Sequence, residues 1–141
     1  MVISRATEYA IRALLYVADF PSGQIVSKRD ICQTQDITAA FLIKIMQPLR
    51  DAGFVKSFRG VAGGFSLAKP AEEISLWDIV CVIEGPMNLN RCLISEVNCL
   101  RDSVCPVHRV WHIVRADLEQ TLSEATLASL TQTRLELFRK E

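Results

Sequence analysis

The sequence predicts a mainly α fold with one small β-hairpin, on three observations. Apolar residues recur at three- and four-residue spacing in several separate stretches, the signature of amphipathic helices. Two short β-prone runs, residues 54–58 and 65–67, flank a glycine-rich stretch and read as a hairpin. A long apolar stripe in the last third begins just after Pro106, a residue suited to the first position of a helix. The 141 residues suffice for one ordinary core with an added helical arm. With 50% apolar and 23% charged residues, the composition is that of a soluble globular chain.

The first helix is expected over residues 4–19. Ala6, Ala10, Ala13, Leu14 and Val17 share one face there, and Pro21-Ser22-Gly23 follows as a stop. A short second helix starts at Ser27, which with Asp30 forms a capping-box pair. Asp36-Ile37 reads as a turn and Thr38 as the N-cap of a third helix. Leu42, Ile45, Met46 and Leu49 face the core on that helix, while Ala40, Ile43, Lys44 and Gln47 face outward. Pro48 lacks a backbone donor and crowds the preceding turn, so a kink or early end is expected near Gln47. Gly53 is the expected C-terminal stop.

Arg59-Gly60-Val61-Ala62-Gly63-Gly64 forms the hairpin loop. Ser75 with Asp78 caps a fourth helix over residues 76–84, stopped by Gly85-Pro86. Residues 88–104 read as irregular. Val107, Val110, Trp111, Val114, Leu118 and Leu122 then form the stripe of the long helix, and a last segment holds Leu127, Leu130 and Leu135. The expected division is a head at 1–86, a ligand-bearing loop at 87–105, and the long helix with a C-terminal helical segment at 106–141.

Helix, short helix, turn, helix and hairpin is the order of a winged helix-turn-helix. A helix of this kind fits the major groove of double-stranded DNA, and a basic hairpin tip reaches the backbone or the minor groove. The candidate DNA-binding set is Ser27, Thr38, Ala40, Ile43, Lys44, Gln47, Arg59 and Gly60. Thr38 and the N-terminal amides of the third helix can meet phosphate. Ala40 permits close approach, Ile43 suits a thymine methyl, and Lys44 and Gln47 are donors. Arg59 suits a narrow minor groove. Charge is distributed accordingly. Residues 1–70 hold nine Lys/Arg and five Asp/Glu, and residues 71–141 hold seven and eleven, although the whole chain is neutral.

The second constellation is Cys92, Cys99, Cys105 and His108, a C-x6-C-x5-C-x2-H cluster within seventeen residues. Thiolate and imidazole suit zinc or an iron–sulfur cluster, and not magnesium or calcium. Cys105 precedes Pro106, where the helix dipole favours negative charge, and His108 lies one turn on. Cys32 and Cys81 read as small core hydrophobes, and His112 as a surface residue. No apolar run approaches the ~18 residues of a membrane span, and Glu8 and Arg12 break the first apolar stretch, so neither membrane insertion nor a signal peptide is expected. A cytoplasmic location follows, in which five cysteines read as thiols or ligands. The sequence contains no nucleophile–base pair, so an enzyme is not expected.

Along nearly its whole length the chain resembles the IscR/NsrR-type family of bacterial winged-helix regulators. The resemblance is carried by residues 6–10 (Ala-Thr-Glu-Tyr-Ala), 49–55 (Leu-Arg-Asp-Ala-Gly-Phe-Val) and above all by the wing, 57–67. Ile79-Val80, Glu84-Gly85-Pro86 and the three cysteines add to it. The resemblance implies a winged helix-turn-helix head plus a long dimerisation helix, a homodimer, and binding to a palindromic operator. It also implies an iron–sulfur cofactor on Cys92, Cys99 and Cys105 that tunes DNA affinity in response to cluster or iron status, nitric oxide or redox. The fourth ligand is His108 in the manner of two-iron (2Fe–2S) relatives, which is the favoured form. In the manner of four-iron (4Fe–4S) relatives it is Glu8 from the partner subunit. Ile43 stands where some relatives carry an acidic base-reader, so operator preference does not transfer. The alternative is a zinc-stapled or cluster-free thiol-switch protein of the same fold.

Overall fold

The computed structural model describes residues 3–94 and 101–140; Cys99 lies outside them. Six α-helices and three strands are described. They are α1 (Arg5–Ala18), β1 (Val26–Ser27), α2 (Lys28–Gln35), α3 (Ala39–Asp51), β2 (Val55–Phe58), β3 (Gly64–Leu67), α4 (Leu76–Glu84), α5 (Pro106–Glu124) and α6 (Leu127–Phe138). Helix-turn-helix and wing follow in the order expected.

The core forms around α1. Its Ser4 cap accepts from the Thr7 amide, and Thr7, Ala10, Ala13, Leu14 and Val17 are buried. Small residues on this face let α2, α3, α4 and α6 all pack against it. From α3 come Leu42, Ile45, Met46 and Leu49, each at most 2% exposed. Thr38 caps α3 by accepting from the Phe41 amide at 3.3 Å. The end of α3 is a Schellman closure: the Gly53 amide donates to the Arg50 carbonyl and the Phe54 amide to the Leu49 carbonyl, both at 2.9 Å. Gly53 takes φ +82° there.

Of the kink or early end expected at Pro48, the early end does not occur: α3 runs through it to Asp51. The missing donor would have served the carbonyl of Lys44, an exposed residue whose carbonyl water can reach. Burial of Leu49 and the closure at Gly53 then hold the last turn, offsetting the ~3 kcal/mol that an interior proline costs.

The hairpin gains a third strand that sequence periodicity does not reveal. β1 has only two residues and pairs antiparallel with β3, Val26 opposite Phe65 and Ser27 opposite Gly64, giving the order β1-β3-β2. Gly64 makes this possible. A Cβ there would lie 1.9 Å from the Val26 carbonyl oxygen, and one at Gly63 would lie 2.3 Å from that of Phe58. The glycine run is thus explained by close backbone approach in the wing.

α4 is closed by a full capping box between Ser75 and Asp78. At its other end the Glu84 carboxylate accepts from the Ser4 amide at 2.8 Å and from the Thr7 hydroxyl. These hydrogen bonds, those from Ser4 and then Thr7, hold its pKa below the ordinary value of 4.5. α5 then leaves the head: none of its 19 residues is buried. α6 returns to pack on α1. Leu127 is fully buried in the head's core, and Arg134 of α6 pairs with Asp19 after α1. No described helix is long and apolar enough to cross a membrane.

Two outcomes follow from this packing. Gly64→Ala should destabilise the chain by about 1–3 kcal/mol in chemical denaturation, as overpacking does against immovable backbone, and by more than Gly53→Ala, which meets only its φ. Equal losses at the two sites would show that β1 yields without cost.

The Glu84 contact is pH-linked. Its folded pKa is lowered, so its contribution is present above the unfolded value and is lost as pH falls through the folded one. Glu84→Gln should therefore lower Tm at neutral pH, and the gap to wild type should close below about pH 4. A gap that persists in acid would mean that charge is irrelevant to the contact.

Candidate nucleic-acid interface and metal centre

α3 and the wing form one open groove of about 270 Å³. Ile43, Gln47 and Arg59 of the sequence-predicted set line it, joined by Lys28, Arg50 and Ser57. No carboxylate is among its lining residues, so three cations define its charge. Arg50 is also paired with Asp51 at 3.2 Å, but both are exposed, and such a pair yields readily to a phosphate. α3 is about 20 Å long and its outer face is unobstructed, dimensions that match a major groove about 12 Å wide.

The other predicted contacts sit around this groove. Ala40 and Lys44 are exposed on α3, and Ile43 is 50% exposed. Thr38 opens onto a second cleft, shared with Arg5, Tyr9 and Phe41. Ser27 is the N-cap of α2 and accepts from the Asp30 amide at 3.1 Å, so its oxygen is partly committed to the fold. Gly60 turns the wing with φ +100°, directly after exposed Arg59. Lys28 and Arg50 are absent from the set read off the sequence. Arg50 lies seven residues beyond Ile43 and three beyond Gln47, a spacing that places it on the same face. Lys28 is brought in by β1, which has no periodic signal.

Of the predicted metal ligands, Cys105 and His108 stand at the start of α5. Cys105 is the residue immediately before that helix, and the His108 amide donates to its carbonyl at 3.3 Å. Cys92 lies on a short 3-10 turn, Arg91–Leu93, which packs against α5; its thiol donates to the Asn90 side-chain oxygen at 3.1 Å. Thiols at Cys92 and Cys105 with the His108 imidazole make a donor set suited to zinc or iron–sulfur chemistry. Among the described residues no three ligating side chains converge on one point, and Cys99 falls outside them. Glu8 is exposed on the first turn of α1.

The remaining cysteines differ in kind. Burial pushes the Cys32 thiol up. Burial also raises Cys81, reinforced by the carboxylates of Asp78 and Glu119. Both are half-buried rather than fully so, and a raised pKa disfavours the thiolate that a metal needs. His112 is exposed, as expected, but its Nε2 lies 2.6 Å from Nε2 of His108.

Comparison with known proteins gives this geometry its context. Residues 3–133 match the model of the Rrf2 family, described as iron-dependent transcriptional regulators. A Haemophilus influenzae protein carrying the name of an HTH-type transcriptional regulator is 34% identical over 134 residues, covering 95% of this chain and 89% of its own. The protein rrf2 of Nitratidesulfovibrio vulgaris is 34% identical over 130 residues, covering 92% and 87%. Among solved structures, CymR of B. subtilis, titled the global cysteine regulator, superposes with TM-score 0.73 at 26% identity, covering 94% of this chain and 98% of its own. IscR of T. potens gives TM-score 0.73 at 27% identity, covering 95% and 88%. Fold, groove and sequence agree: the chain belongs to the Rrf2 family of DNA-binding transcriptional regulators, which are not enzymes.

Proposed function

We propose that the protein is a homodimer that binds a palindromic operator, with an affinity tuned by an iron–sulfur cluster on Cys92, Cys99, Cys105 and His108. The observation that carries this reading is where the ligand-bearing segment is attached. Its first residue, Met87, is buried and has its carbonyl held by Arg115 of α5 at 3.1 Å. Just upstream, Glu84 is held by the N-terminus of α1. A change in the loop therefore acts on both the arm and the head. When bound, the cluster supplies a ligand- or electron-sensitive centre; the three thiols, the imidazole and the loop ends are what this chain contributes. In the four-iron form of the reading, the partner subunit's Glu8 replaces His108.

The dimer reading rests on α5. Val107, Val110, Trp111, Ile113 and Val114 are 38–61% exposed on one helix, an apolar surface that a second copy of the helix would cover. A second reading keeps the same DNA interface and uses the cysteines as a cluster-free thiol switch. It is favoured by the similarity to S. aureus CymR, solved in an oxidized form, at 29% identity and TM-score 0.70. A structural zinc ion on the same donors is the remaining alternative.

Arg59→Ala should weaken operator binding by ~1–3 kcal/mol while leaving the fold intact. Equal affinity at moderate salt would remove the wing from the interface.

Anaerobically purified protein should absorb in the visible and sediment as a dimer. Cys92→Ala, Cys99→Ala and Cys105→Ala should each lose the colour, and Cys32→Ala and Cys81→Ala should keep it. Loss of the spectrum in His108→Ala but not in Glu8→Ala assigns the fourth ligand to histidine, and the reverse assigns it to the carboxylate. A colourless wild type containing zinc, or no metal, would replace this reading with one of the alternatives.

A further inference from the structure

We infer that His108 and His112 form a two-imidazole site on α5 for a borderline divalent transition-metal ion such as Zn²⁺ or Cu²⁺, available in the cluster-free chain and independent of the three cysteines. The two residues are four apart, so they stand on successive turns of one helix face. Their Nε2 atoms approach to 2.6 Å, with ring centroids 4.3 Å apart and planes at 73°. With the two Nε2 atoms held this close, one ion can be bound by both rings at once.

The geometry needs little adjustment. Metal–nitrogen bonds of about 2.0–2.1 Å at a tetrahedral angle set the two nitrogens about 3.3 Å apart. The side chains reach this by small torsional rotations, since His112 is exposed and His108 half-buried. The helix already holds both rings on one side, so chelation orders no new backbone. Imidazole donors select zinc, copper or nickel over magnesium and calcium. Among the described residues no group of three His, Cys, Asp or Glu side chains forms around the pair. The ion would staple the first half of α5, the stretch that carries exposed Val107, Val110 and Trp111.

The test uses the full chain carrying Cys92→Ser, Cys99→Ser and Cys105→Ser, titrated calorimetrically with Zn²⁺ and by electron paramagnetic resonance with Cu²⁺. One ion per chain is expected, with nitrogen splitting from two imidazoles in the copper spectrum. His108→Ala or His112→Ala added to this background should each weaken binding at least tenfold with helix content unchanged. Undiminished affinity in the His112→Ala protein, or no binding by the parent, overturns the site and leaves the cluster reading untouched. In the chain with its cysteines intact, His112→Ala should still load a cluster. Loss of the cluster there would place His112 in the cluster site and overturn a separate two-imidazole site.

Discussion

A short antiparallel exchange between residues 74–76 and 125–127 keeps the arm part of the fold. The Leu127 amide donates to the Ile74 carbonyl at 2.8 Å, and the Leu76 amide to the Ala125 carbonyl at 2.9 Å. Two such bonds contribute only about 1 kcal/mol each. Ile74 and Leu127 are both fully buried at the crossing, and their burial contributes roughly 1.5–3 kcal/mol each, so packing exceeds hydrogen bonding here. The arrangement matters because α5, about 28 Å long, buries no residue of its own. It is held through α4 and by Arg115 at its midpoint, and its first half presents apolar side chains outward.

The middle of α5 is tied to the start of the segment that carries the cysteines. Arg115 reaches back to the Met87 carbonyl, and Glu84, three residues earlier, accepts from the first turn of α1. Loop, arm and head thus meet within a few residues of Gly85, whose φ of +82° turns the chain away from α4. Anything that reshapes the loop strains contacts of known partners rather than free chain.

Most of this architecture was legible in the sequence because it rests on local rules. Ser27, Thr38 and Ser75 cap the helices they precede, Gly53 closes α3, and Pro106 opens α5. The failures have tertiary causes. Pro48 was expected to kink α3 or end it early, and the helix nevertheless runs on to Asp51, because burial of Leu49 and the closure beyond it outweigh the local cost. β1 is too short to show a period of two and exists because Gly64 lets two backbones meet. Lys28 enters the groove through that same strand pairing, and so escaped a reading that followed α3 and the wing tip alone. His112 read as a surface residue and is one, yet helical spacing alone implied its contact with His108. Of the proposed ligands, Cys92, Cys105 and His108 can be placed around α5, while Cys99 lies outside the described residues.

The path from loop to DNA groove is short when traced through packing. α4 touches α1, α3 and α5 at once, with Ile79 and Val80 buried among them. α3 in turn carries Ile43, Gln47 and Arg50 on its far side, into the groove. A close-packed core passes a displacement on rather than absorbing it, because interiors have few voids into which side chains can relax. On the proposed reading, the start of the loop at Met87 and the outer face of α3 are separated by a single helix, α4, which packs on α3. The wing is reached less directly, since β2 and β3 are tied to α3 and α1 rather than to α4. On the proposed reading, a signal arriving at the loop would reach α3 first, and Arg59 only through it.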